Sequence, residues 1–269
     1  MTHCKICGGP AALRCEVPAD RHPGVAEPQG PLVPYYACAR CGFLASSHLD
    51  DGGDSPYDAA YFTAVDPGGE TRDGLPTALV GQAERWLGRR AVDVLDFGSG
   101  TGRAVAKLRD AGYAACGVDI IAPEVAAEHI LVGPLTAEGC YDVVTAVEVF
   151  EHLPDPIAAT RAVAASLRPG GLLAMTTALH DPATLDPGWW YLAPGAGHIS
   201  LFTAPALHAL ARAAGFVPLM TTPTNHLWVK GPLPPGGAAW LRARVLLGRL
   251  ADKLRRGGRA RTPGGPGAG

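Results

Sequence analysis

Charge of one sign is missing from this chain of 269 residues: 23 Lys and Arg stand against 25 Asp and Glu, a formal net charge of -2. So balanced a chain has no bulk field to attract a polyanion, and with aromatics at only 7% composition excludes a dedicated nucleic-acid binder and a disordered protein. Long apolar runs are missing too, none approaching the ~18 residues of a membrane span. The start, Met1-Thr2-His3-Cys4-Lys5, lacks the basic region and apolar stretch of a secretory signal. A cytoplasmic location is the expectation. Glycine and proline, in contrast, are abundant. The 35 Gly and 25 Pro concentrate in residues 8–34, 52–76 and 231–269, which reads as loops and tails around a denser centre.

Cysteine is present in a pattern rather than in bulk. Four of the seven form two pairs, Cys4-x-x-Cys7 and Cys38-x-x-Cys41, each followed by glycine. In a reducing compartment this spacing fits a closed tetrahedral zinc site of four thiolates better than disulfides. The gap between the pairs predicts an excursion rich in proline. Cys15 is spare, Cys116 and Cys140 are expected in the core, and His3, His22 and His48 are expected on the surface. Residues 1–75 hold five Lys and Arg against ten Asp and Glu, and so acidic a segment disfavours RNA.

Beyond about Leu75 strand-like and helix-like patterns alternate. Strands are predicted over Val92 to Phe97, up to Gly117-Val118-Asp119-Ile120, over His129 to Val132, Tyr141 to Val147 and Leu172 to Thr177. Helices are predicted over Thr101 to Ala111, Ile157 to Leu167 and Pro205 to Ala214. Such alternation argues for a parallel sheet with helices on both faces. Phe216 to Thr221 and His226 to Val229 lie close enough for a hairpin.

Within that pattern Val94-Leu95-Asp96-Phe97-Gly98-Ser99-Gly100-Thr101-Gly102-Arg103 runs from an apolar strand into alternating glycines and then a helix. Glycine allows close approach of backbone to a ligand, and the next helix begins with free N–H groups at the same spot. A dinucleotide fingerprint would need glycine where Arg103 stands. The D-x-G-x-G-x-G run instead resembles motif I of class I S-adenosylmethionine (SAM) methyltransferases. Tyr141-Asp142-Val143-Val144, Leu167-Arg168-Pro169-Gly170-Gly171 and Ala214-Gly215-Phe216 resemble that family's later motifs.

The resemblance implies an α/β, doubly wound, Rossmann-like seven-stranded methyltransferase sheet whose last strand is antiparallel, with a small N-terminal zinc-binding module. The implied organisation is a zinc knuckle over 1–50, a linker over 51–75, a SAM-binding domain over 76–230 and a tail over 231–269. It further implies a cofactor set of Asp96, Gly98, Ser99, Gly100, Gly102 and Asp119, the last accepting hydrogen bonds from the ribose as an acidic residue at that distance does in dinucleotide folds. Only 21 residues separate Asp119 from Tyr141, so the helix between these strands is cut to little more than a turn. Gly133-Pro134-Leu135 stands where the family keeps an acidic residue near adenine.

Glu148-Val149-Phe150-Glu151-His152-Leu153-Pro154 falls at the carboxyl edge where open α/β sheets bind ligands. If the chain turns helical there, Glu148, Glu151 and His152 share a face and make a candidate divalent-cation site. This E-x-x-E-H run resembles the metal site of the ubiquinone-biosynthesis O-methyltransferases and of enzymes that methylate the terminal 2′-hydroxyl of small RNAs. The second group uses another histidine, for which Gly197-His198 is the counterpart. A second cation, Mg²⁺ or Mn²⁺, would lower the pKa of an acceptor hydroxyl. Without one, His198 or His152 could act as general base, or the Glu and His could orient the cofactor.

The N-terminal cysteines, Tyr35-Tyr36 and Tyr57-Asp58-x-x-Tyr61-Phe62 also resemble sugar C-methyltransferases and related glycan-tailoring enzymes. Trp189, Trp190 and Tyr191 are expected as a substrate lid or a hydrophobic cover. Residues 238–256 form a basic amphipathic pattern, fit to pack on the protein or a second subunit, or to touch an anionic membrane. The expected activity is methyl transfer from SAM to a hydroxyl of a small metabolite or glycan. Carbon methylation of a sugar, or a zinc-bearing scaffold with a degenerate fold, are the alternatives.

Overall fold

Two sheets share the chain in the computed structural model, which describes residues 3–22, 25–47, 72–122, 124–233, 236, 237, 239 and 243. The N-terminal strands are β1 (Ala11–Pro18), β2 (Leu32–Cys38) and β3 (Leu44–Ala45). The first two pair antiparallel with Ala11 opposite Cys38, so the proline-rich excursion between the cysteine pairs folds back as a hairpin. Proline and glycine gather at its tip, where the Asp20 carboxylate accepts the N–H groups of Gln29 and Gly30 at 2.9 and 2.7 Å. Pairing of β1 with β2 carries Cys4 and Cys7 back beside Cys38 and Cys41.

Next come helix α1 (Leu75–Leu87), β4 (Asp93–Phe97), α2 (Arg103–Asp110), β5 (Ala114–Asp119), β6 (Ile130–Val132), β7 (Tyr141–Val147), α3 (Pro156–Ser166) and β8 (Leu167–Thr176). The chain closes with β9 (Ser200–Leu201), α4 (Ala204–Ala213), β10 (Phe216–Thr221) and β11 (Asn225–Lys230). The large sheet has the order β10-β11-β8-β7-β4-β5-β6, parallel except for β11, which runs antiparallel to both neighbours. The helix expected between β5 and β6 is one 3₁₀ turn, Ala127–His129.

Both faces of the central strands are apolar, as a sheet covered on two sides requires. Leu95, Val144, Ala146, Leu173 and Met175 pack with α3 and α4; the alternate positions Val94, Val143, Leu172 and Ala174 pack with α1 and α2. Helix starts are locally encoded: Asp155 and Thr203 cap α3 and α4 through the N–H groups of Ala158 and Ala206, at 2.9 and 3.1 Å, contacts of ~1 kcal/mol each. The strand after α3 begins earlier than its apolar run. Leu167 pairs with Tyr141, and pairing resumes at Leu172 with Val143, so Arg168-Pro169-Gly170-Gly171 bulges between them.

The small sheet is not confined to the N-terminal residues. Its order is β1-β2-β3-β9, and β9 comes from the far side of the large sheet's sequence. Nearly all of the amphipathic pattern over 238–256, together with His48, Tyr57, Tyr61 and Phe62, lies outside the described residues. Among the described residues no helix is long and apolar enough to cross a membrane.

Candidate active site

The glycine loop leaves the carboxyl end of β4 with Gly98, Gly100 and Gly102 all at positive φ, 77°, 53° and 87°. Side-chain-bearing residues pay ~1–2 kcal/mol for that conformation, and here neighbours also crowd in. A methyl group on Gly98 would lie 2.4 Å from Val149 Cγ2, and one on Gly102 would lie 2.1 Å from the Val125 carbonyl oxygen. The loop is tied to β5: Gly98 N–H donates to Val118 at 2.9 Å, and Gly100 N–H donates to Asp119 Oδ2 at 2.7 Å. Asp119 Oδ1 accepts the N–H groups of Ile120 and Ile121 at 2.7 and 3.1 Å. Its carboxylate is thus fixed at the loop's rim.

Asp96 stands beneath the loop rather than in it. It is buried, accepts from Thr145 Oγ1 at 2.7 Å, and burial pushes its carboxyl up to about 7. Ser99 is buried with an unpartnered hydroxyl. Val132 is the register partner of Asp119, and Val132 and Ile120 are both exposed, an apolar surface beside the acidic group.

The chain after β7 does not form the helix that would align Glu148 with Glu151 and His152. Glu148 adopts φ 53°, a left-handed state that a non-glycine residue occupies at a cost and that concentrates at functional sites. Its carboxylate turns to Thr176 Oγ1 at 2.8 Å and the Tyr191 hydroxyl at 3.1 Å. A single 3₁₀ turn follows, Phe150–His152. The structure brings Glu151, His152 and His198 together, their ligand atoms within 4.8 Å of one another, and leaves Glu148 outside that group.

Glu151 is completely buried, and neither carboxylate oxygen has a well-aligned hydrogen-bond partner. Burial, with the Glu148 charge adding to it, pushes its carboxyl up to about 8. Its Oε1 lies 3.8 Å from His152 Nε2. Burial, then the neighbouring His198, holds the His152 imidazole well below its usual range. His198 donates through Nδ1 to the Tyr191 carbonyl at 2.7 Å, which leaves Nε2 as an acceptor; burial lowers this imidazole to about 4. The two imidazole rings meet edge to face, centroids 4.8 Å apart. Orphaned buried oxygens beside neutral imidazoles suit a divalent cation, and equally a proton acceptor.

Tyr191 is neither lid nor simple cover. It is fully buried, its hydroxyl reaches Glu148 and Thr177, and its carbonyl holds His198. Trp190 is 59% exposed. Sequence reasoning placed Tyr191 near the site but not its contacts to Glu148 and His198, and it missed Tyr35 and Thr176 as site residues; the Thr176-Thr177 pair at a strand end was an available signal.

The four cysteines converge separately, with Sγ distances of 3.7 Å for Cys4–Cys41 and 3.5 Å for Cys7–Cys38 and Cys7–Cys41. A tetrahedron of Zn–S bonds of ~2.3 Å has edges of ~3.8 Å, so the thiols fit zinc. The backbone N–H groups of Ile6 and Arg40 point at Cys4 and Cys38 at 3.3 and 3.4 Å. Cys140 is exposed just before β7 and is not the core residue expected, whereas Cys116 is partly buried and packs against the core.

Residues 69–220 match a family described as "Methyltransferase domain". The chain is 34% identical over 119 residues to the ubiquinone biosynthesis O-methyltransferase of Nitrosospira multiformis, covering 38% of this chain and 50% of that protein. It is 38% identical over 107 residues to the Xanthomonas campestris enzyme of the same name, covering 34% and 44%. The chain thus spans about half the length of these relatives. Among solved structures, a Burkholderia thailandensis 1,6-didemethyltoxoflavin-N1-methyltransferase with bound S-adenosylhomocysteine superposes with a TM-score of 0.44 at 20% identity, covering 77% of this chain and 97% of that one.

Proposed function

Because the chain belongs to the methyltransferase-domain family, we propose that it transfers a methyl group from SAM to a hydroxyl of a small metabolite or glycan. The observation that carries this reading is the buried Glu151, His152 and His198 group set beside the glycine loop, Val149 filling the space next to Gly98. Gly98, Gly100 and Gly102 would hold the methionine part of SAM, Asp119 the ribose, and Ile120 with Val132 would offer adenine an apolar surface. When bound, SAM supplies an electrophilic methyl group. The chain's task is to place an acceptor oxygen in line and remove its proton.

His198 is fitted to that task. Its Nδ1 is committed to the Tyr191 carbonyl, so Nε2 is the ring nitrogen left to take the proton. The Glu148 carboxylate is held by the Thr176 and Tyr191 hydroxyls. Glu151, His152 and His198 would also hold a Mg²⁺ or Mn²⁺ ion, which would supply Lewis acidity at the same oxygen. Cys4, Cys7, Cys38 and Cys41 would hold a structural zinc.

Native mass spectrometry with and without SAM tests this: one zinc and one SAM per chain are expected, and zinc without SAM would move the reading to a scaffold. Glu151→Ala is expected to abolish turnover with SAM affinity within a few fold. Loss of SAM binding instead would assign Glu151 to the cofactor.

A further inference from the structure

We infer that the four-cysteine module is a positioning element of the acceptor site, with Tyr35 setting His198 from behind. Residues 187–203 are held from two sides. On the module side, Arg21 donates to the carbonyls of Pro187 and Trp189. Gly195 N–H donates to Arg21 at 3.0 Å and Ser46 N–H to Ile199 at 3.0 Å. β3 pairs with β9, and the Thr203 hydroxyl donates to the carbonyl of Cys41. The Tyr35 hydroxyl donates to the His198 carbonyl at 2.6 Å. On the other side, Ile199 N–H donates to the Glu151 carbonyl at 2.9 Å and the Ser200 hydroxyl to that of Leu153 at 2.8 Å.

The apolar core of the small sheet continues the same wall. Val17, Val33, Tyr35 and Leu44 pack in one cluster with Tyr191, Leu192 and Leu201. Tyr191 therefore belongs at once to the module's core and, through its hydroxyl and carbonyl, to the Glu148 and His198 contacts. Tyr35 is completely buried, and burial holds its phenol far above its usual range, so it remains a donor. The Cys41 carbonyl and the left-handed Gly42, packed on Thr203 and Pro182, make the second knuckle turn part of this lattice. A metal that orders the knuckle orders the segment carrying His198.

This rests on the proposal that Glu151, His152 and His198 face the acceptor, and the test separates the two. The full-length protein carrying ¹⁵N-labelled histidine is compared as zinc-bound wild type, as zinc-bound Tyr35→Phe, and as wild type stripped of zinc by a chelator under reducing conditions. His198 is assigned by the resonance lost in His198→Gln. Calorimetry with S-adenosylhomocysteine is run on each sample.

The imidazole ¹⁵N resonances of His198 are expected to shift in both altered samples, while S-adenosylhomocysteine affinity stays within about twofold, well under the tenfold that ~1.4 kcal/mol represents. With an acceptor in hand, kcat falls about tenfold in Tyr35→Phe, the scale of one lost buried hydrogen bond, and KM for SAM is unmoved. An unchanged His198 spectrum in Tyr35→Phe overturns the positioning role. Loss of cofactor binding on zinc removal overturns the division between acceptor and cofactor sides. Failure of wild type to bind S-adenosylhomocysteine would sink the methyltransferase reading and leave the spectral comparison decisive for Tyr35.

Discussion

Replacing Gly102 with alanine is expected to damage both stability and cofactor binding, by an amount that can be worked out. Gly102 caps the start of α2 at φ 87°, and the added methyl would stand 2.1 Å from the Val125 carbonyl oxygen and 2.7 Å from Ile130 Cδ1. The carbonyl cannot swing away alone, because the N–H groups of Glu124 and Val125 both bond to Thr101 in the loop, at 3.0 and 3.1 Å. Relief means lifting that segment off and losing two hydrogen bonds of ~1 kcal/mol each, on top of ~1–2 kcal/mol for left-handed alanine.

Gly139 is the control. It has φ 60° with nothing within 4 Å of an added methyl, so Gly139→Ala pays only the backbone cost. At ~2–4 °C per kcal/mol for a domain of this size, thermal denaturation should fall by about 10 °C in Gly102→Ala and about 4 °C in Gly139→Ala. Calorimetry with S-adenosylhomocysteine should show a loss of about tenfold or more in the first, equivalent to ~1.4 kcal/mol, and no change in the second. Equal melting losses, or a Gly102→Ala protein with normal affinity, would refute the claim that the loop and residues 124–126 are locked together.

Asp119→Ala removes the acceptor for Gly100 N–H and for the N–H groups of Ile120 and Ile121; cofactor affinity should drop about a hundredfold, the scale of a charged acceptor lost from a site. Unchanged affinity would remove Asp119 from it. Acid should weaken the fold through His180 and His226, both buried and held near 4 by that burial. Their folded values lie below the ordinary 6.5, so the unfolded chain binds more protons; stability is full above about pH 6.5 and is lost as pH falls toward 4, by up to ~3 kcal/mol for each. Denaturant melts at pH 7, 6, 5 and 4.5 check this, and a His226→Gln protein with the same pH slope would exonerate that residue.

Much of this was legible without coordinates where the signal is local. Strand β7 carries its own apolar run and α3 its own cap at Asp155, and the glycine spacing at 98, 100 and 102 marks left-handed backbone before any neighbour is known. The cysteine pairs signal one shared site because thiolate spacing is metal chemistry. The turn at Glu148 defeated the helical reading because its conformation is set by contacts to Thr176 and Tyr191, 28 and 43 residues away. Tyr35 stood out only as part of an aromatic pair, and nothing along the chain pointed its hydroxyl at His198, a contact made only once the chain has folded.

By itself, then, the sequence determined most of the elements from β4 onward, the alternation that makes the sheet parallel, the loop at the end of β4 and the four thiols. Only the tertiary structure decided that β9 completes the small sheet, that Glu148 leaves the group formed by Glu151, His152 and His198, and that Tyr35 bonds to His198 across 163 residues. Periodicity and turn chemistry act within a few residues, whereas a buried hydroxyl or carboxylate takes the partner that packing brings to it, and no spacing along the chain encodes that choice.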